Sequence, residues 1–328
     1  EKRDNWVLEQ TLTSSIEKGF GHLAPKPDGT TLYSLSGIYG IQQTGIYAST
    51  DGGLTFEEVA KAPRSGLFGV LRSGRWIIAA WEENISFAVP NTDPPRVASS
   101  DGYAYFSGDI GSQFLLKLRI YYSDDQGQTW SAFKDYGCLM GWFDFEGVVN
   151  GNCGVTPCDE PSVAETKDGQ VLLFARSTVG RILYSYSRDD GQTWSAVKPT
   201  ELTSSYSPPR LHRIPQTGDL ICLWNQVSRA EIRRGYLRGR LSAAISRNSG
   251  ATWENFKTLE LSAGLEDVER IPAEYPIRPV RAQNYVGALP DDYANIYYPN
   301  VCFAADKVYV IYSRGWMAQQ DEEARLTS

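Results

Sequence analysis

The side chains most able to do chemistry fall into one repeated set and a few scattered ones. Ser49-Thr-Asp51-Gly-Gly53-Leu-Thr55-Phe56 returns as Ser123-Asp-Asp125-Gln-Gly127-Gln-Thr129-Trp130, as Ser187-Arg-Asp189-Asp-Gly191-Gln-Thr193-Trp194 and as Ser246-Arg-Asn248-Ser-Gly250-Ala-Thr252-Trp253. A recurring carboxylate invites a catalytic reading. Residues at turns related by a repeat cannot converge on one substrate, so Asp51, Asp125, Asp189 and Asn248 are assigned a structural role. The only histidines are His22 and His212. An imidazole with a pKa near ~6.5 suits proton transfer at neutral pH, and two are too few for a multi-histidine metal centre. The five cysteines, Cys138, Cys153, Cys158, Cys222 and Cys302, offer no paired CxxC spacing; they fit neither a zinc site nor a disulfide framework. Cys153 and Cys158 share one loop, where a bridge between them, or from either to Cys138, is allowed. No metal or organic cofactor is expected.

The octapeptide has the physics of a hairpin. An Asp or Asn oxygen accepts from backbone N–H groups ahead of it, glycine supplies positive φ, and the closing aromatic packs back on the sheet. Each copy follows an alternating apolar strand such as Arg181-Ile-Leu-Tyr-Ser-Tyr186, itself preceded by a strand pair with a turn between, as in Ser162-Val-Ala-Glu, Lys167-Asp-Gly and Gln170-Val-Leu-Leu-Phe-Ala175. The unit reads strand, turn, strand, strand, box, strand. A four-stranded antiparallel unit repeated in a chain without helical periodicity is the signature of an all-β β-propeller. The boxes lie 74, 64 and 59 residues apart. Those intervals are long for one blade, so a box-less blade is expected around 66–81 and a last one at 298–312, giving six blades, with five as the alternative. No linker divides the chain, which is expected to form a single domain over 1–328. The stretches 133–158 and 265–292 read as long loops on the working face, and the boxes as its outer rim.

With 41% hydrophobic and 22% charged residues the chain can bury a core, and its net charge of −7 repels phosphate backbones and anionic lipid heads. Nucleic acid and membrane are therefore not expected partners. The apolar runs are too short to cross a bilayer, and residues 1–6 lack a signal-peptide profile.

The repeated box makes the chain resemble the sialidase (neuraminidase) family of propellers, and more closely the bacterial predicted neuraminidases. The resemblance covers most of the chain. It implies six blades, three arginines that bind the sugar carboxylate, a Tyr–Glu pair as nucleophile and an Asp as acid/base, an exception to the two-carboxylate rule of glycosidases. Glu160, in Cys158-Asp-Glu-Pro161, stands where the family has the Glu that takes the tyrosine's proton; a phenol alone ionises only near pH ~10. Tyr298, in Tyr297-Tyr-Pro-Asn300, matches the tyrosine, with Tyr297 in reserve. Arg176, sixteen residues after Glu160, and Arg238 match the second and third arginines, while Arg240 is expected on the opposite side. Guanidinium groups hold a carboxylate in bidentate pairs that lysine cannot reproduce.

Two family features are missing from their usual places. The first arginine belongs in an Arg-Ile-Pro stretch of the first blade, which here reads Gly21-His-Leu-Ala-Pro25; Arg213-Ile-Pro215 occurs two blades later. The acid's loop, residues 35–43, contains no Asp or Glu. His22, at the inner end of the first strand, is the candidate for the missing proton donor, and His212 and Arg213 could face the same channel. Asp144 and Glu146 are acidic candidates in Gly141-Trp-Phe-Asp-Phe-Glu146, where Trp142 could stack on a sugar face; a packed flap is the other reading of that loop.

The resemblance thus implies an exo-acting glycoside hydrolase of sialidase type that removes a terminal acidic sugar from glycans, with carbohydrate as its partner. The alternatives are a polysaccharide lyase or other uronic-acid-active propeller, in which a His and a Tyr abstract the proton α to a carboxylate, and a propeller that binds sugar without turnover. A secreted or periplasmic location is expected, with the cytoplasm allowed.

Overall fold

Each of the four octapeptides closes the hairpin between the last two strands of a four-stranded sheet. The computed structural model describes residues 20–36, 42–85, 87–88, 96–98, 104–106, 114–133, 141–144, 153–156, 159–177, 179–275, 289–304 and 307–316. The first blade runs β1 (Phe20–Pro25), β2 (Leu32–Ser36), β3 (Gln42–Ser49) and β4 (Glu57–Arg64), paired in chain order. The second starts with β5 (Leu67–Val70) and β6 (Trp76–Ile85). The chain then makes a separate three-stranded sheet of β7 (Phe87–Ala88), β8 (Arg96–Ala98) and β9 (Ala104–Phe106) before completing the blade with β10 (Phe114–Ser123) and β11 (Ser131–Ala132). A hairpin, β12 (Gly141–Asp144) with β13 (Cys153–Thr156), precedes the third blade of β14 (Asp159–Glu165), β15 (Val171–Arg176), β16 (Arg181–Ser187) and β17 (Lys198–Thr203). The fourth is β18 (Arg210–Arg213), β19 (Leu220–Asn225), β20 (Arg240–Ser246) and β21 (Glu254–Leu261), with the short helix α1 (Arg229–Arg233) between β19 and β20. A pair, β22 (Ala294–Ala304) and β23 (Lys307–Trp316), ends the described chain.

The described residues therefore hold four four-stranded blades, which corrects the expected six and its alternative of five. The long first interval between boxes misled the count. Residues 66–81 are not a blade of their own: they supply β5 and β6 of the blade whose box holds Asp125, and the extra length is the insertion carrying β7 to β9. Among the described residues no helix is long and apolar enough to cross a membrane.

The boxes fold as their composition dictates. In the second, the Ser123 hydroxyl donates to Asp125 and accepts the Gly127 N–H, while Asp125 accepts both the Thr129 N–H and the Thr129 hydroxyl. Those bonds, the Thr129 hydroxyl first, hold the Asp125 carboxyl down to about 2. The fifth position is glycine each time, at φ between 85° and 93°. Trp130 reaches past its own sheet and donates its indole N–H to the Lys61 carbonyl of the preceding blade.

The chain divides into two compact units, one of residues 1–78 and 122–131, the other of 79–121 and 132–328. In the first, Trp76 packs edge-on to Tyr33 and Phe68. In the second, one face of the third blade, with Leu172 and Phe174, meets the fourth through Trp224 and Trp253. Phe174 and Trp224 are fully buried, each worth roughly 1.5–3 kcal/mol of apolar transfer. Ile221, Leu223, Leu241 and Ile296 seal the fourth blade against β22 and β23. The first strands of successive sheets lie together here: the Ser162 hydroxyl of β14 accepts the Leu211 N–H of β18 at 2.8 Å.

Candidate active site

Two first strands of the larger unit are interrupted in the same way. In β14 the register passes from Asp159 opposite Arg176 to Ser162 opposite Phe174, so the strand carries one residue more than its partner. In β22 it passes from Tyr297 opposite Ser313 to Asn300 opposite Ile311, again with one residue extra. The residues at these bulges are Glu160-Pro161 and Tyr298-Pro299. Proline has no N–H to give a ladder, so it costs nothing where the ladder is already broken. Glu160 and Tyr298 stand at φ 34° and 45°, positive values that non-glycine residues adopt at a cost. The bulges turn both side chains out of the pleat and toward each other. The Tyr298 hydroxyl donates to Glu160 Oε1 at 3.2 Å.

Two arginines complete the cluster. Arg176, across the ladder at the end of β15, forms an ion pair with Glu160 Oε2 at 2.5 Å, and both side chains are largely buried, at 15% and 11% exposure. The Arg238 guanidinium lies over the ring of Tyr297 at 5.1 Å and that of Tyr298 at 5.6 Å, within cation–π range. Tyr298 is 44% exposed, so the cluster is open on its phenol side.

The backbone of Arg238 is fixed by the strand that carries the tyrosines. Its N–H donates to Tyr293 Oη, and its carbonyl accepts the Ile296 N–H at 2.8 Å. Burial pushes the Tyr293 phenol up to about 12, so it remains a neutral hydrogen-bonding post. Arg240 takes partners other than those of Arg238, and strand alternation is not the reason. Residues two apart on a strand share a face, so the divergence comes from the bend at 237–239 that precedes β20. Arg240 is fully buried, bonded to Glu231 and to the carbonyls of Gln226 and Glu266.

The other sequence candidates sit elsewhere. His212, in β18, is held down to about 4, by burial first and the Arg210 charge second, against the raising effect of its hydrogen bond to Asn300 of β22. Arg213 ends β18 beside the turn at Gly218, whose Cβ position lies 3.1 Å from Arg213 Nη2; it is not with the Glu160 cluster. His22 pairs with Leu35 in β1, and Trp142 and Asp144 pair with Val155 and Cys153 in β12. The side chains of His22, Trp142 and Asp144, and Glu146 altogether, lie outside the described residues, as do Cys138, Cys158 and the side chain of Cys153. Cys222 is a buried and Cys302 an exposed free thiol. Among the described residues no three His, Cys, Asp or Glu side chains gather as metal ligands.

Sequence reasoning missed Tyr206. Its ring faces the Arg176 guanidinium at 4.0 Å. It belongs to a serine-rich link between the third and fourth blades whose neighbours are buried and bonded: the Ser205 hydroxyl donates to the Leu237 carbonyl, next to Arg238. A tyrosine in Ser204-Ser-Tyr-Ser207, directly after a strand, was the available signal.

The sequence profile of the BNR repeat-like domain family matches residues 43–310. Solved structures similar to the chain include a Hadza microbial sialidase, at 17% identity over 73% of this chain and 44% of that one, with a TM-score of 0.45. The NanB sialidase of Streptococcus pneumoniae is 13% identical over 97% and 68%, with a TM-score of 0.42. The α-L-arabinofuranosidase Arb93A of Fusarium graminearum is 15% identical over 73% and 65%, with a TM-score of 0.43. The chain spans less than half the length of the first and about two thirds of the other two.

Proposed function

Because the chain belongs to the BNR repeat-like domain family, we propose that Tyr298, Glu160, Arg176 and Arg238 form the active centre of a glycoside hydrolase of sialidase type, which removes a terminal acidic sugar from glycans. One observation carries this reading: a phenol and a carboxylate from separate strands, each at a bulge with positive φ, meet at 3.2 Å beside two guanidinium groups. Backbone strain of this kind is kept where side-chain aim matters more than stability.

In the reaction Tyr298 Oη bonds to the anomeric carbon as its proton passes to Glu160, and the glycosidic bond breaks with the electron pair on the leaving oxygen, which takes a proton from an acid. Water then attacks the same carbon and gives its proton to that acid's conjugate base, while Tyr298 Oη leaves the carbon and takes its own proton back from Glu160. His22, Asp144 and Glu146 are the sequence candidates for the acid. A nucleophile that is neutral before attack suits a substrate that brings its own carboxylate, since two carboxylates in close contact repel each other. The Arg238 charge over the Tyr298 ring favours the developing phenolate, and planar guanidinium groups fit the substrate carboxylate.

The lyase alternative needs a competent base. His212, held down to about 4, is neutral at pH 7 but weakly basic.

The test is incubation with a fluorogenic sialoside and a panel of uronate-containing polysaccharides. Release of fluorophore that disappears in Tyr298→Phe is the expected result. Near-ultraviolet absorbance from unsaturated products without fluorophore release would establish a lyase. Neither signal, with sugars still raising the melting temperature, would establish a binding module.

A further inference from the structure

A cavity of about 530 Å³ opens between the third blade and the box of the fourth, within the range of small-molecule sites. Tyr184 and Tyr186 of β16 line it, with Asp168 from the β14–β15 turn, Glu201 of β17, and Thr252 and Trp253 of the box. The last box, which walls this cavity, departs from its sisters in two ways.

The first departure is the tryptophan. Trp130 spends its indole N–H on the fourth strand of the blade before it, at Lys61 O, and Trp194 spends its own on Gly191 O. Trp253 instead lies against Phe174 of the second strand, with ring centroids 5.5 Å apart. It is 5% exposed, its indole N–H has no partner, and the fourth strand is left to wall an open space.

The second is Asn248. In the other three boxes the threonine hydroxyl donates its proton to the aspartate, at 2.5–2.6 Å. Asn248 Oδ1 is occupied by the Thr252 N–H and the Ser246 hydroxyl, so its amide nitrogen faces Thr252 and donates to Thr252 Oγ1 at 2.8 Å. Thr252 becomes the acceptor, so its own proton is no longer committed to the box, and the residue lines the cavity. Facing it are the acceptors Asp168, held down to about 2 chiefly by the Thr166 hydroxyl, and Glu201.

Aromatic faces, a free hydroxyl donor and carboxylate acceptors match a sugar ring, with its apolar C–H face and its edge of hydroxyls. The two carboxylates are offset by Arg188, which also lines the cavity, and by Arg270, paired with Glu201 at 2.6 Å, so the lining has no surplus charge to select an ionised sugar. We infer that this cavity is a second carbohydrate-binding site, taking a neutral hexose unit of a glycan at a place separate from the Glu160 cluster.

The experiment titrates the full chain with lactose, methyl α-mannoside and N,N′-diacetylchitobiose, read by saturation-transfer NMR and tryptophan fluorescence, so it needs no turnover. Saturable binding of at least one sugar is expected. Asn248→Asp restores the aspartate of the other boxes and recaptures the Thr252 proton; it is expected to leave the melting temperature unchanged or higher and to weaken binding about fivefold, as is Thr252→Val. Tyr184→Leu should weaken it about tenfold. Glu160→Gln should leave it intact, which separates this site from the proposed active centre. Absence of binding by all three sugars, wild-type affinity in both Asn248→Asp and Thr252→Val, or loss of binding in Glu160→Gln would each overturn the inference.

Discussion

The Arg176 guanidinium lies between a carboxylate and an aromatic face: Glu160 pairs with its edge, and Tyr206 covers its plane at 4.0 Å. A stacked guanidinium keeps its N–H fork in one plane, which fixes how a carboxylate can approach. Tyr206→Leu is expected to raise KM for an acidic-sugar substrate about tenfold with a smaller change in kcat, and Tyr206→Phe, which keeps the ring, should recover most of the loss. A merely structural role would lower the melting temperature and leave the KM against kcat split unchanged, so both are measured on the same preparations.

The contact between Tyr298 and Glu160 makes a sharper prediction about rate. Tyr298→Phe removes the nucleophilic oxygen but keeps the ring under Arg238, and Glu160→Gln removes the proton acceptor but keeps the shape. Each should lower kcat about 10²–10⁴-fold, and the double variant should be little worse than either alone, because the residues act as one unit. Additive losses in a double-mutant cycle would show two independent roles and contradict the paired mechanism.

Much of this was legible in the sequence, for physical reasons that can be named. The box motif writes its own hydrogen bonds, so Ser123, Asp125, Gly127 and Thr129 fold locally with no help from the rest of the chain. Glu160 and Tyr298 were legible as site candidates through the family resemblance, while the bulges that aim them emerge only in the fold. The blade count was not legible, because the spacing between boxes cannot distinguish a hidden blade from an insertion between the second and third strands of one. Nor was the stacking of Tyr206 on Arg176, which depends on a link between blades whose path is set by buried serines rather than by any periodic pattern.

Gly239 lies between Arg238, at the cluster, and the buried Arg240. A Cβ there would stand 2.6 Å from Tyr293 Cε2 and 2.7 Å from Leu265 Cδ1. Tyr293 is 1% exposed and its hydroxyl receives the Arg238 N–H, so the ring has little room to yield. Gly239→Ala is therefore expected to cost roughly 1–3 kcal/mol by overpacking and to move Arg238 off the Tyr298 ring, reducing kcat/KM more than the stability loss alone explains. Gly29, with positive φ but nothing within 4 Å of its Cβ position, is the control. Gly29→Ala should carry only the backbone cost of about 1 kcal/mol and leave activity unchanged.

His212 gives the fold a pH dependence whose sign is fixed by the direction of its shift. Its folded pKa is depressed from 6.5 to about 4, by burial and then by Arg210, against the opposing hydrogen bond to Asn300. Between those two values the unfolded chain binds the proton and the folded chain does not. The contribution is complete above pH 6.5 and is lost as pH falls toward 4, up to about 3 kcal/mol in all. Asp125 and Asp168, held down to about 2, act in a lower window, losing their share between 3.8 and 2. Calorimetry at pH 7, 5.5 and 4.5 should show the melting temperature falling across the upper window in the wild type. In His212→Gln, which has no proton to gain, that part of the slope should vanish while the decline below pH 4 remains; an unchanged slope would place the titrating group elsewhere.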